Sequence, residues 1–124
     1  NISLISLQKG YGSEQLNYCK FKDKFVSIQE EINKIWDFSE IAAILNNCEL
    51  VITSDSAVAH LSGGLGIETW LLLKYLPDWR WEVNGNETIW YENLKIFRQT
   101  EQRDWKEVHD LVANEVKLKF KNLK

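Results

Sequence analysis

One stretch, residues 49–66, limits what this chain can fold into more than any other. It reads ELVITSDSAVAHLSGGLG. The apolar run Leu50-Val51-Ile52, rich in β-branched residues, predicts a central strand that is buried on both faces. Small polar residues follow, and then apolar residues recur at helical spacing up to Gly66, which predicts a helix that stops there. This order of strand, turn and helix points the first N–H groups of the helix into the space above the carboxyl end of the strand.

The turn after this strand is the first candidate site. Helix N-termini attract anions, phosphate above all, so we expect a phosphate-bearing ligand here. Asp55 has two interpretations that the residues alone leave balanced: a helix N-cap that contributes about 1 kcal/mol, or a carboxylate that accepts hydroxyl groups of a sugar. For His60, one turn into an apolar helix, a hydrogen-bonded core histidine is favoured over a ligand contact.

A second unit of the same kind opens the chain. Residues 2–7 form an apolar strand candidate, a glycine-containing turn follows, and Ser13 is the predicted N-cap of a helix. Lys9 in this turn is either a solvated surface charge or a cation that pairs with a diphosphate. In the second case its charged hydrogen bond would contribute about 1.5–3 kcal/mol.

The remaining segments alternate between strand and helix patterns. Strands are predicted at residues 25–28, 69–73 and 94–98, and helices at residues 38–45 and after Asp104. The last helix is expected to bury Trp105, Val108, Leu111, Val112 and Val116. This pattern predicts one α/β domain over residues 1–124: a three-layer fold with helices on both faces of a parallel sheet of about five strands.

Residues 74–93 have no periodicity and form a long loop with three tryptophans, Trp79, Trp81 and Trp90. These rings either stack on a bound sugar or base, or pin the loop to the domain, and we favour pinning for at least two of them. Arg80 in the loop and Arg98 after it either bind phosphate or make structural ion pairs.

Composition excludes several classes of function. The net charge of -3, with no basic stripe, argues against nucleic-acid binding. No apolar run is long enough to span a membrane, and neither the two cysteines nor the two histidines have metal-ligand spacing. Neither strand–turn–helix unit contains G-x-G-x-x-G, which disfavours a nicotinamide oxidoreductase. The chain contains no methionine, so we expect it to be a fragment of a longer protein, with processing of the chain end as the alternative.

Four motifs in order resemble those of a known family. They are SLQKGYGSEQL, CELVITSDSAVAHLSGGLG, LPDWRW and FRQ. Together they resemble the C-terminal half of glycosyltransferase family 9-like proteins, the heptosyltransferase-related group, in the variety found with tetratricopeptide repeats in bacteria. The resemblance runs from about Ser6 to the last helix, and it is weakest between Tyr18 and Asp37.

The resemblance implies one Rossmann-like half of a GT-B fold, in which the C-terminal domain holds a nucleotide-sugar donor and no metal or separate cofactor is needed. It implies a cytoplasmic protein, with peripheral attachment to the inner membrane left open. The catalytic base would lie in the missing N-terminal half, so no catalytic residue is assigned here. The implied donor-binding residues are Lys9, Gly10, Ser54, Asp55, Ser56, Ala57, Val58 and His60.

Two departures from the family pattern leave a second function open. Ser56 stands where the family has threonine, which keeps the hydroxyl group. Residues 66–69 read Gly-Ile-Glu-Thr where the family has G-K-P-V, so that a lysine and a proline are missing. The alternative is therefore a non-catalytic interaction or scaffold domain, whose partners would be the N-terminal GT-B half and a tetratricopeptide repeat region.

Overall fold

The computed structural model describes residues 2–121, and its centre is a parallel sheet of three strands. The strands are β1 (Val51–Ser54), β2 (Thr69–Leu73) and β3 (Leu94–Arg98), arranged in the order β1-β2-β3. Both neighbouring pairs are parallel. The predicted α/β class is therefore confirmed.

Helices cover both faces of this sheet. They are α1 (Gln29–Lys34), α2 (Phe38–Leu45), α3 (Ala57–Gly64) and α4 (Lys106–Lys119). On one face, α4 packs its Val108 and Val112 against Trp70 and Phe97. On the other face, Ala59 of α3 joins a buried cluster with residues of β2 and β3, among them Leu71, Leu73, Leu94 and Ile96. The alternation of side chains along each strand separates these two cores.

The end of α3 follows from one glycine. Gly66 has a φ of 75°, a conformation that costs glycine little, and its N–H donates to the carbonyl of Gly63 at 3.1 Å. The N–H of Ile67 donates to the carbonyl of Ser62, also at 3.1 Å. These two bonds form a Schellman motif, which satisfies the last carbonyls of the helix. The helix stop predicted at Gly66 is confirmed.

The predicted helix 38–45 is α2, with the same bounds. Asp37 caps it by accepting the N–H of Glu40 at 3.0 Å. Asp104 likewise accepts the N–H of Lys106, at 2.8 Å, in the first turn of α4. The predicted buried side of α4 is correct for Val108 and Val112, and Val116 is half-buried; Trp105 and Leu111 are exposed.

One prediction for the first third of the chain is wrong, and one helix there is absent from the predictions. The helix expected to be capped by Ser13 is a 3-10 helix (Ser13–Tyr18) with Gly12 at the N-cap position, and the hydroxyl of Ser13 donates to the carbonyl of Gly10 at 2.7 Å. The helix α1 lies in a stretch that has too few apolar residues for its periodicity to show, since Ile32 is its one buried residue.

The expectation of about five strands is also wrong for residues 2–121. The segments 2–7 and 25–28 make only an isolated parallel bridge, between Leu4 and Phe25. The hydroxyl of Ser6 accepts the N–H two residues further on, a local bond that competes with strand pairing. The sheet therefore ends at β1 on this side.

For the same reason β1 is an edge strand and β2 is the central strand, contrary to the prediction. Val51 is buried, but Ile52, on the opposite face, is 45% exposed. The prediction that β1 is buried on both faces is therefore wrong, because α4 covers β2 and β3 and does not reach this side chain. Within residues 2–121, no helix is both long enough and apolar enough to cross a membrane.

Candidate functional site

The turn at residues 54–58 lies at the carboxyl edge of the sheet. Ser54 is the last residue of β1, which runs parallel to its neighbour, and α3 begins three residues later. Asp55 and Ala57 are exposed, so packed side chains do not close the turn. The predicted location of the turn relative to its own strand is thus confirmed, although the strand lies at the edge of the sheet.

The first N–H groups of α3 are free. Ser56 occupies the N-cap position in an extended conformation, but its hydroxyl pairs with that of Thr53 at 3.1 Å and makes no bond to the helix. Among residues 2–121, neither the N–H of Ala57 nor that of Val58 has an acceptor; the next N–H, of Ala59, donates to the carbonyl of Ser56 at 3.1 Å. Two amide donors at a helix N-terminus are a suitable place for an anion.

Asp55 does not cap the helix. Its Oδ1 accepts the indole N–H of Trp81 at 2.9 Å, a bond that joins the long loop to the turn. Within the described part of the chain, its Oδ2 has no hydrogen-bond partner. The carboxylate is therefore held by one oxygen and can accept a hydroxyl group with the other.

His60 lies behind the turn, partly buried between two aromatic residues. Its ring stacks on Trp81 with 5.0 Å between ring centroids, and its Nδ1 is hydrogen-bonded to the hydroxyl of Tyr91 at 3.0 Å. The histidine thus has the hydrogen-bonded, packed environment that the sequence favours, and it links the loop to α3.

Lys9 and Gly10 do not join the turn in this structure. The ammonium group of Lys9 donates to the carbonyl of Ile35 at the end of α1 and lies 5.1 Å from the ring centroid of Trp36. Gly10 is exposed, and its carbonyl accepts the N–H of Ser13 at 3.1 Å. Of the predicted binding residues, the structure brings together the six between Ser54 and His60 and leaves these two apart.

A cleft of about 560 Å³ runs from the turn along the free edge of β1. Residues 5–8 form one wall, β1 forms the other, and Ile44 and Leu45 of α2 lie among the lining residues. Ser54, Ser56 and Val58 line its end at the turn. Its volume is in the usual range for small-molecule sites, about 300–1,000 Å³.

The two arginines considered as phosphate ligands, Arg80 and Arg98, have structural partners. Arg80 pairs with Asp78 at 2.6 Å on the surface. Arg98 donates to four carbonyls of the long loop, those of Trp81, Glu82, Asn84 and Gly85. Burial lowers the pKa of the Arg98 guanidinium, against a smaller opposing effect of the Glu82 carboxylate. Arg98 therefore fixes the loop at the edge of the sheet.

The tryptophans divide as the sequence indicates. Trp81 is buried in the core, and the indole N–H of Trp90 donates to the carbonyl of Arg80 at 2.9 Å, so both hold the loop in place. Trp79 is 73% exposed, with the Arg80 guanidinium over its ring. The hydrogen bond between Trp81 and Asp55 could not be predicted from the sequence. The two residues are 26 positions apart, and no sequence motif relates them.

Among residues 2–121, no three or more His, Cys, Asp or Glu side chains are grouped so that they could hold a metal ion. No protein-family model matches this chain. No curated protein matches it. No solved structure matches it either.

Proposed function

We propose that this chain is the donor-binding domain of a glycosyltransferase, one Rossmann-like half of a GT-B protein, and that it binds a nucleotide diphosphosugar. The observation that carries the proposal is the pair of free N–H groups of Ala57 and Val58 at the carboxyl edge of a parallel sheet. In open α/β sheets this edge is where ligands bind, and helix N-termini favour phosphate groups. The resemblance of the motifs to family 9-like glycosyltransferases agrees with this chemistry.

The two polar features of the turn suit different parts of such a ligand. The free amides would bind the diphosphate. The Asp55 carboxylate would repel a phosphate placed beside it, so its free Oδ2 is better suited to the sugar, as an acceptor of hydroxyl groups. The cleft beside β1 has room for the remainder of the ligand. Lys9 would add positive charge after leaving the carbonyl of Ile35.

Titration calorimetry of the 124-residue chain tests the proposal. The probes are inorganic pyrophosphate, the diphosphates UDP, GDP and ADP, and the glucose derivative of each nucleotide. We expect binding of pyrophosphate and of at least one nucleotide, and tighter binding of its sugar derivative. No heat with any probe at millimolar concentration would contradict the proposal.

The variant Ala57→Pro tests the amides directly. Proline is tolerated at the first position of a helix and lacks an N–H group, and Ser56 before it is already extended, as a residue before proline prefers. We expect a folded protein whose affinity for pyrophosphate falls about tenfold, the effect of one charge-assisted hydrogen bond. The matched control is Phe38→Pro at the first position of α2, which also follows an extended residue. Equal affinities in the two variants would exclude the turn as the anion site.

The alternative of a non-catalytic interaction domain is favoured by a different observation. Tyr11 is 97% exposed and Trp36 is 92% exposed, and large exposed aromatic side chains are typical of interfaces. Cross-links from these two positions to a tetratricopeptide repeat region of a parent protein, without any nucleotide binding, would favour this function over the first.

A further inference from the structure

The long loop reaches the turn at residues 54–58 through the side chain of Trp81. Its ring is 1% exposed and belongs to the buried cluster beneath the loop, together with Ala59 of α3 and residues of β2 and β3. The indole N–H is directed out of this cluster to Oδ1 of Asp55, at 2.9 Å. A tryptophan side chain has only two torsions, and packing around a buried ring restricts it to one conformation. The position of its indole N–H is therefore well defined.

Two further contacts hold Trp81 in place, one at its ring and one at its backbone. The ring of His60 stacks on it, and Tyr91 in turn holds His60. Arg98 donates to the backbone carbonyl of Trp81 itself and to that of Glu82 at 2.9 Å. The loop is thus fastened to the last strand and to α3, and its one side-chain hydrogen bond to the turn goes to Asp55.

We propose that Trp81 is a positioning residue, which fixes the Asp55 carboxylate so that its free oxygen meets the sugar of the donor. This inference rests on the function proposed above and adds that residues 74–93 control how the sugar is recognised. The diphosphate, which the amides of α3 would hold, does not depend on this bond. Trp81 therefore affects the contribution of the sugar to affinity and leaves that of the diphosphate unchanged.

The variant Trp81→Phe tests the inference, since phenylalanine keeps an aromatic ring in the cluster and removes the N–H donor. The matched control is Trp90→Phe, which removes another indole N–H of the same loop, one bonded to the carbonyl of Arg80. We expect Trp81→Phe to weaken binding of the preferred nucleotide–glucose about fivefold, the effect of one hydrogen bond. Binding of pyrophosphate and of the nucleoside diphosphate should be unchanged, and Trp90→Phe should bind all three like wild type.

The outcomes separate this inference from the function on which it rests. Wild-type protein that binds none of the probes would contradict the proposed function and this role together. If wild type binds, an unchanged ratio between sugar nucleotide and diphosphate in Trp81→Phe overturns the positioning role alone. A parallel loss for pyrophosphate also overturns it, because that result indicates general damage to the fold.

A second measurement leaves Trp81 intact and so does not depend on the folding of the phenylalanine variant. In Asp55→Ala, the indole N–H resonance of Trp81 should move upfield in the ¹H–¹⁵N spectrum and exchange faster with solvent. The indole resonance of Trp90 should stay in place. An unmoved Trp81 resonance would show that the bond does not exist in solution and would overturn the inference.

Discussion

Gly63 of α3 lies directly beneath the aromatic ring of Tyr91. A Cβ atom added to Gly63 would lie 2.6 Å from Cγ of that ring, closer than such contacts occur in proteins. The absence of a side chain at this position lets the loop approach the helix closely enough for the Tyr91 hydroxyl to reach His60. At Gly64, the next residue, an added Cβ atom would meet open space instead.

We therefore expect opposite effects of alanine at these two neighbouring positions. Gly63→Ala should lower the free energy of unfolding by about 1–3 kcal/mol, because the ring or the helix must move. Gly64→Ala should leave it unchanged or raise it by up to about 1 kcal/mol, since alanine is the better helix former. Urea denaturation of both variants measures the difference, and equal values would mean that Tyr91 does not pack on α3.

We expect Arg98 to be the main residue that holds the long loop against the sheet. Its guanidinium satisfies the carbonyls of several loop residues, including Glu82, whose φ of 56° is costly for a residue with a side chain. Replacing Arg98 with glutamine should cost about 2 kcal/mol of stability and should open the loop to proteolysis. Limited digestion followed by mass spectrometry locates the new cleavage sites.

The matched control is Arg80→Gln, in the same loop. Arg80 pairs with Asp78 at the surface, where both side chains are more than a third exposed. Such pairs contribute about 0–1 kcal/mol, so this variant should resist the protease like wild type. Equal digestion of the two variants would contradict the role assigned to Arg98.

Cys48 should make the protein less stable in alkali. Burial, with a smaller contribution from the Glu49 carboxylate, raises the pKa of this thiol above its ordinary value of 9.0. As pH rises past that value, the unfolded chain releases the proton while the folded chain still keeps it. The free energy of unfolding therefore falls with rising pH until the folded thiol ionises as well. Between roughly pH 8 and pH 10, Cys48→Ala should therefore lose less stability than wild type.

Thermal unfolding at the two pH values checks this, with Cys19→Ala as the control for loss of a thiol. Alkylation offers a second test, because the thiolate is the reactive form. The thiol of Cys48 also donates to the carbonyl of Ile44 at 3.4 Å, so iodoacetamide should modify it more slowly than Cys19. Faster reaction at Cys48 would count against the raised pKa.

The parts of this fold that could be predicted are those determined by residues close together in the sequence. The apolar run, the polar turn and Gly66 each act over a few positions, and β1, the turn and the end of α3 are found where the sequence places them. The bounds of α2 follow from Asp37 and its apolar face in the same way. Local hydrogen bonds and periodicity determine such features with little help from distant parts of the chain.

The parts that were not predictable depend on distant contacts. Strand pairing is a tertiary event, so the apolar pattern of residues 2–7 suggested a strand, although Leu4 makes only one bridge. In the site, the indole N–H of Trp81 reaches Asp55 and the ammonium group of Lys9 is held by Ile35, and neither partner can be read from spacing. The candidate turn was predictable, and its surroundings were not.

The free edge of β1 has a consequence for how the molecule opens. The N–H of Val51 points toward β2 and donates to the carbonyl of Glu68. Backbone groups alternate in direction along a strand, so the N–H and carbonyl of Ile52 point to the other side of β1, where the sheet has no further strand. Residues 2–28 thus share no ladder of backbone bonds with β1. They are attached to the rest by side-chain packing and by single hydrogen bonds, such as that of Lys9 to the carbonyl of Ile35. We therefore expect this first segment of the chain to form a subglobal unfolding unit, which detaches at a lower free energy than the sheet itself and leaves α3 and its turn intact when it does.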